Sequence, residues 1–114
     1  MRIGFPTNNL KMLSNHTALS KYIGIVEIKN GEITERIAVK NPLPQLASAA
    51  YSNEEGRGLG AGKIIPQILL DYNVNVFVTS EIGEGMQGNL KYAGIKIILS
   101  KEKEIEKIIE KVGG

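Results

Sequence analysis

The pair Asn30-Gly31 constrains the fold more than any other part of the sequence. It separates two runs rich in β-branched residues, Tyr22–Lys29 and Glu32–Lys40. Asn-Gly supplies the two positive φ angles of a type I′ turn, the turn that joins two antiparallel strands. The sequence therefore predicts a β-hairpin. Asn41-Pro42-Leu43-Pro44 should end it, because proline cannot donate to a strand ladder.

Helices and strands alternate after a long connection over residues 41–62. Lys63–Tyr72 has apolar residues at helical spacing, and Pro66 places the helix start near Gly62, since proline fits best in a first turn. Asn73 is expected to end this helix in a left-handed conformation.

The remaining elements follow the same alternation. Val74–Thr79 and Ile95–Leu99 are predicted to be buried strands, on either side of a helix over Gly85–Ala93 that ends at Gly94. Ser100 is expected to cap a last helix. The apolar stripe of that helix comprises Ile105, Ile108, Ile109 and Val112.

A first strand, Arg2–Pro6, completes the predicted order of strand, hairpin, helix, strand, helix, strand, helix. A hairpin followed by βαβ units gives an α/β fold with a mixed sheet and helices on one face or both. The 114 residues are enough for one core, so we expect a single domain over residues 1–114.

Composition excludes several classes of function. The chain has no cysteine, which rules out disulfides, thiolate catalysis and cysteine-ligated metals. A net charge of +2 is too small to indicate nucleic acid or an anionic membrane as the partner. No apolar run approaches the roughly 20 residues that span a bilayer, and the N-terminus lacks a signal-peptide pattern. We therefore expect a soluble, cytoplasmic protein.

The stretch GRGLGAGK, residues 56–63, is similar to a phosphate-binding loop without matching one. A Walker A motif needs a hydroxyl after the lysine, but Ile64 stands there; a Rossmann fingerprint needs a preceding strand, but that stretch is polar. Two interpretations stay open. The loop is a flexible connection, or its backbone N–H groups bind an anion with help from Arg57 and Lys63.

A second glycine-rich stretch, residues 79–88, follows a predicted buried strand and opens a helix. Ligand sites of parallel sheets lie at such carboxyl ends of strands. The alternative is a tight turn, and Glu81 and Glu84 would repel an anion unless they serve as hydrogen-bonding or metal-coordinating groups. Thr7-Asn8-Asn9 follows the first strand, so these loops are expected to converge at one edge of the sheet. This adds Thr7, Asn8, Ser80 and Gly83 to the candidate ligand-binding residues.

His16 is the only imidazole in the chain. A lone histidine is more often structural than catalytic, and no acid is placed to orient a Ser14-His16 pair. We therefore predict no catalytic residues.

Several short motifs, taken in order, resemble the dinitrogenase iron–molybdenum cofactor biosynthesis family, of the NifX and NifB C-terminal type. Members commonly show S-E-H-F-G-R-A-P-Y-F before the hairpin, where this chain has SNHTALSKYI, residues 14–23. Further matches are Asn41-Pro42, Gly60-Ala61-Gly62 opening the first helix, Gly83 in the turn after a strand, and Ala93-Gly94-Ile95-Lys96.

The resemblance implies a ribonuclease H-like fold, with a mixed five-stranded sheet and about three helices but no ribonuclease activity. It also implies an anionic iron–molybdenum or related metal–sulfur cluster as ligand. His16 is then the metal-binding residue, and Gly60-Ala61-Gly62 belongs to the site. The family's Phe-Gly-Arg is Thr17-Ala18-Leu19 here, and we hypothesise that Arg57 or Lys63 replaces the lost cation.

The first functional hypothesis is a non-enzymatic carrier of such a cofactor or its precursor, working with a cofactor-assembly protein. The second is a small-anion or nucleotide-binding regulatory module. An enzyme related to ribonuclease H is disfavoured, since the first strand carries no acidic residue.

Overall fold

The structure, a computed structural model, describes residues 1–44 and 61–113. It contains a five-stranded sheet in the order β3-β2-β1-β4-β5. The strands are β1 (Arg2–Thr7), β2 (Tyr22–Lys29), β3 (Glu32–Lys40), β4 (Val76–Thr79) and β5 (Lys96–Leu99). β1 pairs antiparallel to β2 and parallel to β4, so the sheet is mixed as predicted. The ribonuclease H-like label stays a prediction.

The hairpin has the predicted bounds, and Asn30 and Gly31 have φ angles of 53° and 78°. A register shift at Glu27/Ile28 adds a bulge near the turn. β1 runs one residue past the predicted end, to Thr7.

Three helices are described: α1 (Ala61–Asp71), α2 (Glu84–Tyr92) and α3 (Ile105–Gly113). Asn73 and Gly94 adopt the expected left-handed conformation after α1 and α2. In both cases the next N–H returns to a carbonyl five residues back, from Val74 to Leu69 and from Ile95 to Leu90, at 2.9 Å each. The four side chains in these two contacts are buried, which secures each helix end to the core.

Two apolar clusters cover the two sides of the sheet. On one side α1 and α2 pack through Ile65, Leu69 and Leu90 onto Phe77, all completely buried. On the other side α3 is the one helix that packs among the described residues. Its buried contacts are Ile105, Ile108 and Ile109, as the predicted stripe requires.

Two predictions about the C-terminal third are wrong. β5 is an edge strand and not a buried one, because it stands last in the strand order and has β4 as its single neighbour; Leu99 is 62% exposed. Ser100 does not cap α3, since the helix begins five residues later. Its hydroxyl donates to the Glu102 carbonyl instead, at 3.0 Å.

Pro66 lies inside α1, where it leaves the carbonyl of Gly62 without a helical partner. Asn89 of α2 donates its side-chain amide to this carbonyl at 2.6 Å. A Cβ on Gly62 would lie 3.3 Å from the Met86 backbone nitrogen. The first turns of α1 and α2 therefore pack directly against each other.

Candidate functional site

A cleft of about 780 Å³ opens at the carboxyl ends of the parallel strands. One wall is the loop between β1 and β2, which contributes His16, and the other is the turn after β4, which contributes Gly83. Two of the predicted site residues are thus brought together from distant parts of the chain. The described lining comprises His16, Thr17, Ala18, Leu19, Glu81, Ile82, Gly83 and Met86.

The Gly83 wall presents bare backbone to the cleft. Gly83 precedes α2 in an extended conformation, and no side chain caps the helix. A Cβ at Gly83 or at Gly85 would meet nothing within 4 Å. The N–H groups in the first turn of α2 have no helical acceptors, so this end of the helix offers donors to an anion.

Gly62 has a different role from Gly83. Its missing side chain allows the close contact with Met86 described above, which is a packing requirement. Ala61 begins α1. Arg57 and Gly60 of the predicted site lie outside the described residues, as does most of GRGLGAGK.

Buried hydroxyls connect the two walls beneath the cleft. Thr17 Oγ1 lies 2.6 Å from Thr79 Oγ1 and donates to the Glu81 carbonyl at 2.7 Å. Thr79 Oγ1 also reaches that carbonyl, at 3.1 Å. Both threonines are almost fully buried. We call Thr17, Thr79 and the Glu81 carbonyl the threonine clamp; it fixes the spacing of the His16 loop from the Gly83 turn.

His16 is exposed, and its backbone is held by Ser14. Its N–H donates to Ser14 Oγ, which in turn bonds the His16 carbonyl, each at 3.1 Å. The imidazole has no hydrogen-bond partner among the described residues. The ring is therefore available to a ligand, while its backbone is fixed.

Three other predicted site residues bond within the protein. The Thr7 hydroxyl is buried and donates to the Met12 carbonyl at 2.6 Å. Asn8 accepts from the Lys21 N–H at 2.9 Å. Ser80 donates to the Ser14 carbonyl at 3.3 Å. Thr7 ends β1, Asn8 and Ser80 lie in the loops that follow β1 and β4, and none of the three is among the described lining residues of the cleft.

Sequence reasoning missed part of the lining. Leu19, Ile82 and Met86 give the cleft an apolar character, and Glu81 adds a carboxylate. Met86 lies in the first turn of α2, a short helix with little apolar periodicity. The sequence pattern therefore did not predict that its side chain lines the cleft. The spacing of residues 14–19 gave no signal that Thr17 points inward.

The cleft is a weak site for a bare metal ion. Within residues 1–44 and 61–113, no three His, Asp or Glu side chains cluster closely enough to hold one. Its described donors are one imidazole, one carboxylate and the thioether of Met86. A metal that arrives with its own sulfur or oxygen ligands would need fewer donors from the protein and suits these three groups better.

Every helix in the described ranges, 1–44 and 61–113, is too short or too polar to cross a bilayer.

Over residues 1–113 the sequence matches the family described as dinitrogenase iron-molybdenum cofactor. No curated protein matched. Among solved structures, the apo form of the orange protein from Desulfovibrio gigas is 18% identical, with a TM-score of 0.74 over 96% of this chain and 84% of that one. The crystal structure of PH0822 is 20% identical, with a TM-score of 0.77 over 100% and 91%.

A third similar structure is a protein from Methanocaldococcus jannaschii, 20% identical, with a TM-score of 0.64 over 96% of this chain and 85% of that one. At such identities these three structures establish the shared fold. The match over residues 1–113 carries the family assignment.

Proposed function

The chain belongs to the dinitrogenase iron–molybdenum cofactor family, and on this premise we propose that it is a non-enzymatic carrier of an anionic metal–sulfur cofactor or its precursor. The proposed site is the cleft between the His16 loop and the Gly83 turn. The proposal places the carrier in the cytoplasm, where it would exchange its cargo with a cofactor-assembly protein.

One observation carries the proposal: an accessible imidazole and the open first turn of α2 face the same cleft. A metal–sulfur cluster is a bulky anion with a soft, polarisable sulfur periphery. N–H donors at a helix N-terminus would bind its charge, and His16 would supply one ligand to a metal. Leu19, Ile82 and Met86 would contact its sulfur surface. Arg57 is proposed to supply an additional positive charge to the bound anion.

The non-enzymatic part of the proposal rests on the hydroxyls next to the cleft. Thr17 and Thr79 are engaged with each other and with the Glu81 carbonyl. A hydroxyl whose proton is held by a backbone carbonyl is not placed as a nucleophile. These groups therefore shape the cleft.

The experiment is anaerobic titration with tetrathiomolybdate, a molybdenum–sulfur anion, followed by its charge-transfer absorption and by equilibrium dialysis. We expect saturable binding that weakens at least tenfold in His16→Ala. Asn15→Ala is the matched control, since Asn15 is the exposed neighbour and, within the described part of the chain, its side chain bonds Lys103 alone. Equal binding by His16→Ala and the parent would remove His16 from the site.

Glu81 gives a second test of the sign of the ligand charge. Its carboxylate lies in the cleft and opposes an anion, so Glu81→Gln should tighten binding about two- to fivefold at low salt. Glu32→Gln, at the hairpin turn, changes the net charge equally and should have no such effect. Weaker binding by Glu81→Gln would show that the carboxylate is a ligand.

The alternative, a small-anion or nucleotide-binding module, predicts a different ranking of ligands. A thermal-shift comparison of nucleotides, phosphate, molybdate and tungstate with tetrathiomolybdate separates the two. A larger shift with a nucleotide than with the thiomolybdate would contradict the carrier proposal.

A further inference from the structure

A second concavity lies on the side of the sheet that carries α3, away from the α1–α2 side to which Met86 of the cleft belongs. It has a volume of about 140 Å³ and is formed across β1, β2 and β3. Gly24 and Ala38 are paired neighbours on β2 and β3, so two adjacent positions lack bulk. The ring of Phe5 occupies the space next to Gly24, where any Cβ would collide with it. The space next to Ala38 stays open. We call this concavity the Ala38 pocket.

α3 leaves this pocket open. Its buried residues pack on the cluster that includes Ile3, Val26 and Ile28. Arg36, on the pocket rim, reaches back to α3 and bonds both carboxylate oxygens of Glu106 at 2.7 and 3.2 Å. Ala38 lies two residues beyond Arg36 and is exposed.

The rim also carries an exposed leucine in an unfavourable backbone conformation. Leu10 has a φ of 65° and is 45% exposed. Thr7 Oγ1 accepts its N–H at 3.0 Å, and Asn9 Oδ1 accepts those of Lys11 and Met12 at 2.9 Å each. Left-handed geometry at a leucine costs of order 1–2 kcal/mol, so side chains hold this turn in place while it presents an apolar group to solvent.

The charge around the pocket is positive. Arg36–Lys40 on β3 and the Asn8–Met12 turn contain Arg36, Lys40 and Lys11 and no carboxylate. Lys40 alternates onto the same face as Ala38. Glu106 pairs with Arg36, and Glu104, which is bridged to Met12 beside the turn, pairs with Lys107, so Lys11 and Lys40 are the rim cations without a described ion pair. Two copies of such a surface would repel each other, whereas an acidic partner would be attracted.

We propose that the Ala38 pocket and the Leu10 turn form a docking surface for a partner protein that inserts one aliphatic or aromatic side chain flanked by Asp or Glu. The pocket volume suits one side chain and is far smaller than the cleft. This surface is separate from the proposed cofactor site and does not depend on the identity of the cargo. Apolar anchors in small pockets, surrounded by complementary charge, are the usual centre of a protein interface.

The test uses ¹⁵N-labelled protein and a synthetic peptide with one leucine between paired aspartates on each side. At millimolar peptide we expect saturable shifts of the Leu10, Gly24 and Ala38 amides. The same peptide with lysine for aspartate, or with glycine for leucine, should bind at least tenfold more weakly.

Ala38→Phe fills the pocket from an exposed strand position and should weaken binding at least tenfold. Ile33→Phe is the matched control, since Ile33 is an exposed position near the hairpin turn of the same strand. The parent and this control should bind alike.

Four results would overturn the proposal. One is the absence of shifts at the pocket amides at millimolar peptide. The second is equal binding of the aspartate and lysine peptides. The third is a set of shifts centred on His16 and Gly83. The fourth is concentration-dependent dimerisation that Ala38→Phe abolishes, which would make a second copy of the chain the occupant.

Discussion

The two ends of the sheet use polar side chains in opposite ways. At the cleft end the polar side chains that hold the loops together are uncharged and mostly buried; at the hairpin end the polar contacts are partly exposed ion pairs, in which Arg2 meets Glu27 and Glu35 at 3.4 and 3.2 Å. All buried polar residues in the described ranges belong to the cleft end, in or beside the loops that follow β1, β3 and β4. They are Thr7, Ser14, Thr17, Ser20, Asn41 and Thr79.

This difference follows from what each end must do. A hairpin turn is closed by local backbone geometry and needs little support. Loops that hold a ligand must be fixed without filling the site, and buried hydrogen bonds do this only when every donor and acceptor is paired. In the described ranges no buried side-chain nitrogen or oxygen lacks a partner. The cleft end is therefore the more fragile of the two.

The largest effect is expected at Asn41. Its side chain is buried, donates to the Ala18 and Ser20 carbonyls at 3.0 and 2.8 Å, and accepts from the Leu43 N–H at 3.1 Å. Asn41→Ala leaves these groups unpaired and should lower the free energy of unfolding by about 2–4 kcal/mol. Urea denaturation measures this loss.

The matched control for Asn41 is Asn15→Ala, which removes one exposed hydrogen bond to Lys103. It should cost less than about 0.5 kcal/mol. Equal losses for the two variants would show that burial does not distinguish the cleft end.

The threonine clamp should give the next largest effect. Thr17→Val or Thr79→Val keeps the shape and removes one hydroxyl, at an expected cost of about 1–2 kcal/mol each. Because both hydroxyls reach the Glu81 carbonyl, the double variant should depart from additivity by at least about 0.5 kcal/mol. Denaturation of the four proteins in the cycle measures the coupling. Strict additivity would mean that the two walls are held independently.

The same contrast explains what the sequence could predict. The hairpin and the left-handed Asn73 and Gly94 were predictable because a few adjacent residues determine them. The exposure of β5 was not predictable, because it depends on the position of the strand in the sheet. The cleft was expected from the convergence of loops, and His16 and Gly83 do meet there. The threonine clamp joins residues 62 positions apart, and no local pattern reveals such a pair.

One glycine at each end of the sheet allows a direct comparison of the hairpin end with the cleft end. Gly31 at the hairpin and Gly83 at the cleft would both accept a Cβ without contact. Gly31 has a φ of 78°, so Gly31→Ala should cost about 1 kcal/mol and leave thiomolybdate binding unchanged. Gly83 has a φ of −80°, so Gly83→Ala should change stability by less than about 0.5 kcal/mol. Its methyl group would nevertheless cover the open backbone and weaken binding.

Denaturation and thiomolybdate titration of both variants separate the two roles. A stability loss at Gly83 as large as that at Gly31, with binding intact, would make the cleft glycine a turn residue only.

The smallest effect is expected at the exposed pair of Arg36 and Glu106. The hydrogen bonds from Arg36 lower the pKa of the Glu106 carboxyl below its ordinary value. A depressed folded-state pKa stabilises the protein above the unfolded-state pKa, and this contribution is lost as the pH falls through the folded-state value.

The side chains of Arg36 and Glu106 are 50% and 67% exposed, so the contribution at neutral pH should not exceed about 0.5 kcal/mol. Glu106→Gln should therefore be slightly less stable than the parent at pH 7, and the difference should shrink as the pH is lowered towards 3. Denaturation at both pH values, in low and high salt, measures it. A difference that is undiminished at pH 3 would assign the effect of Glu106 to packing on β3 and not to its charge.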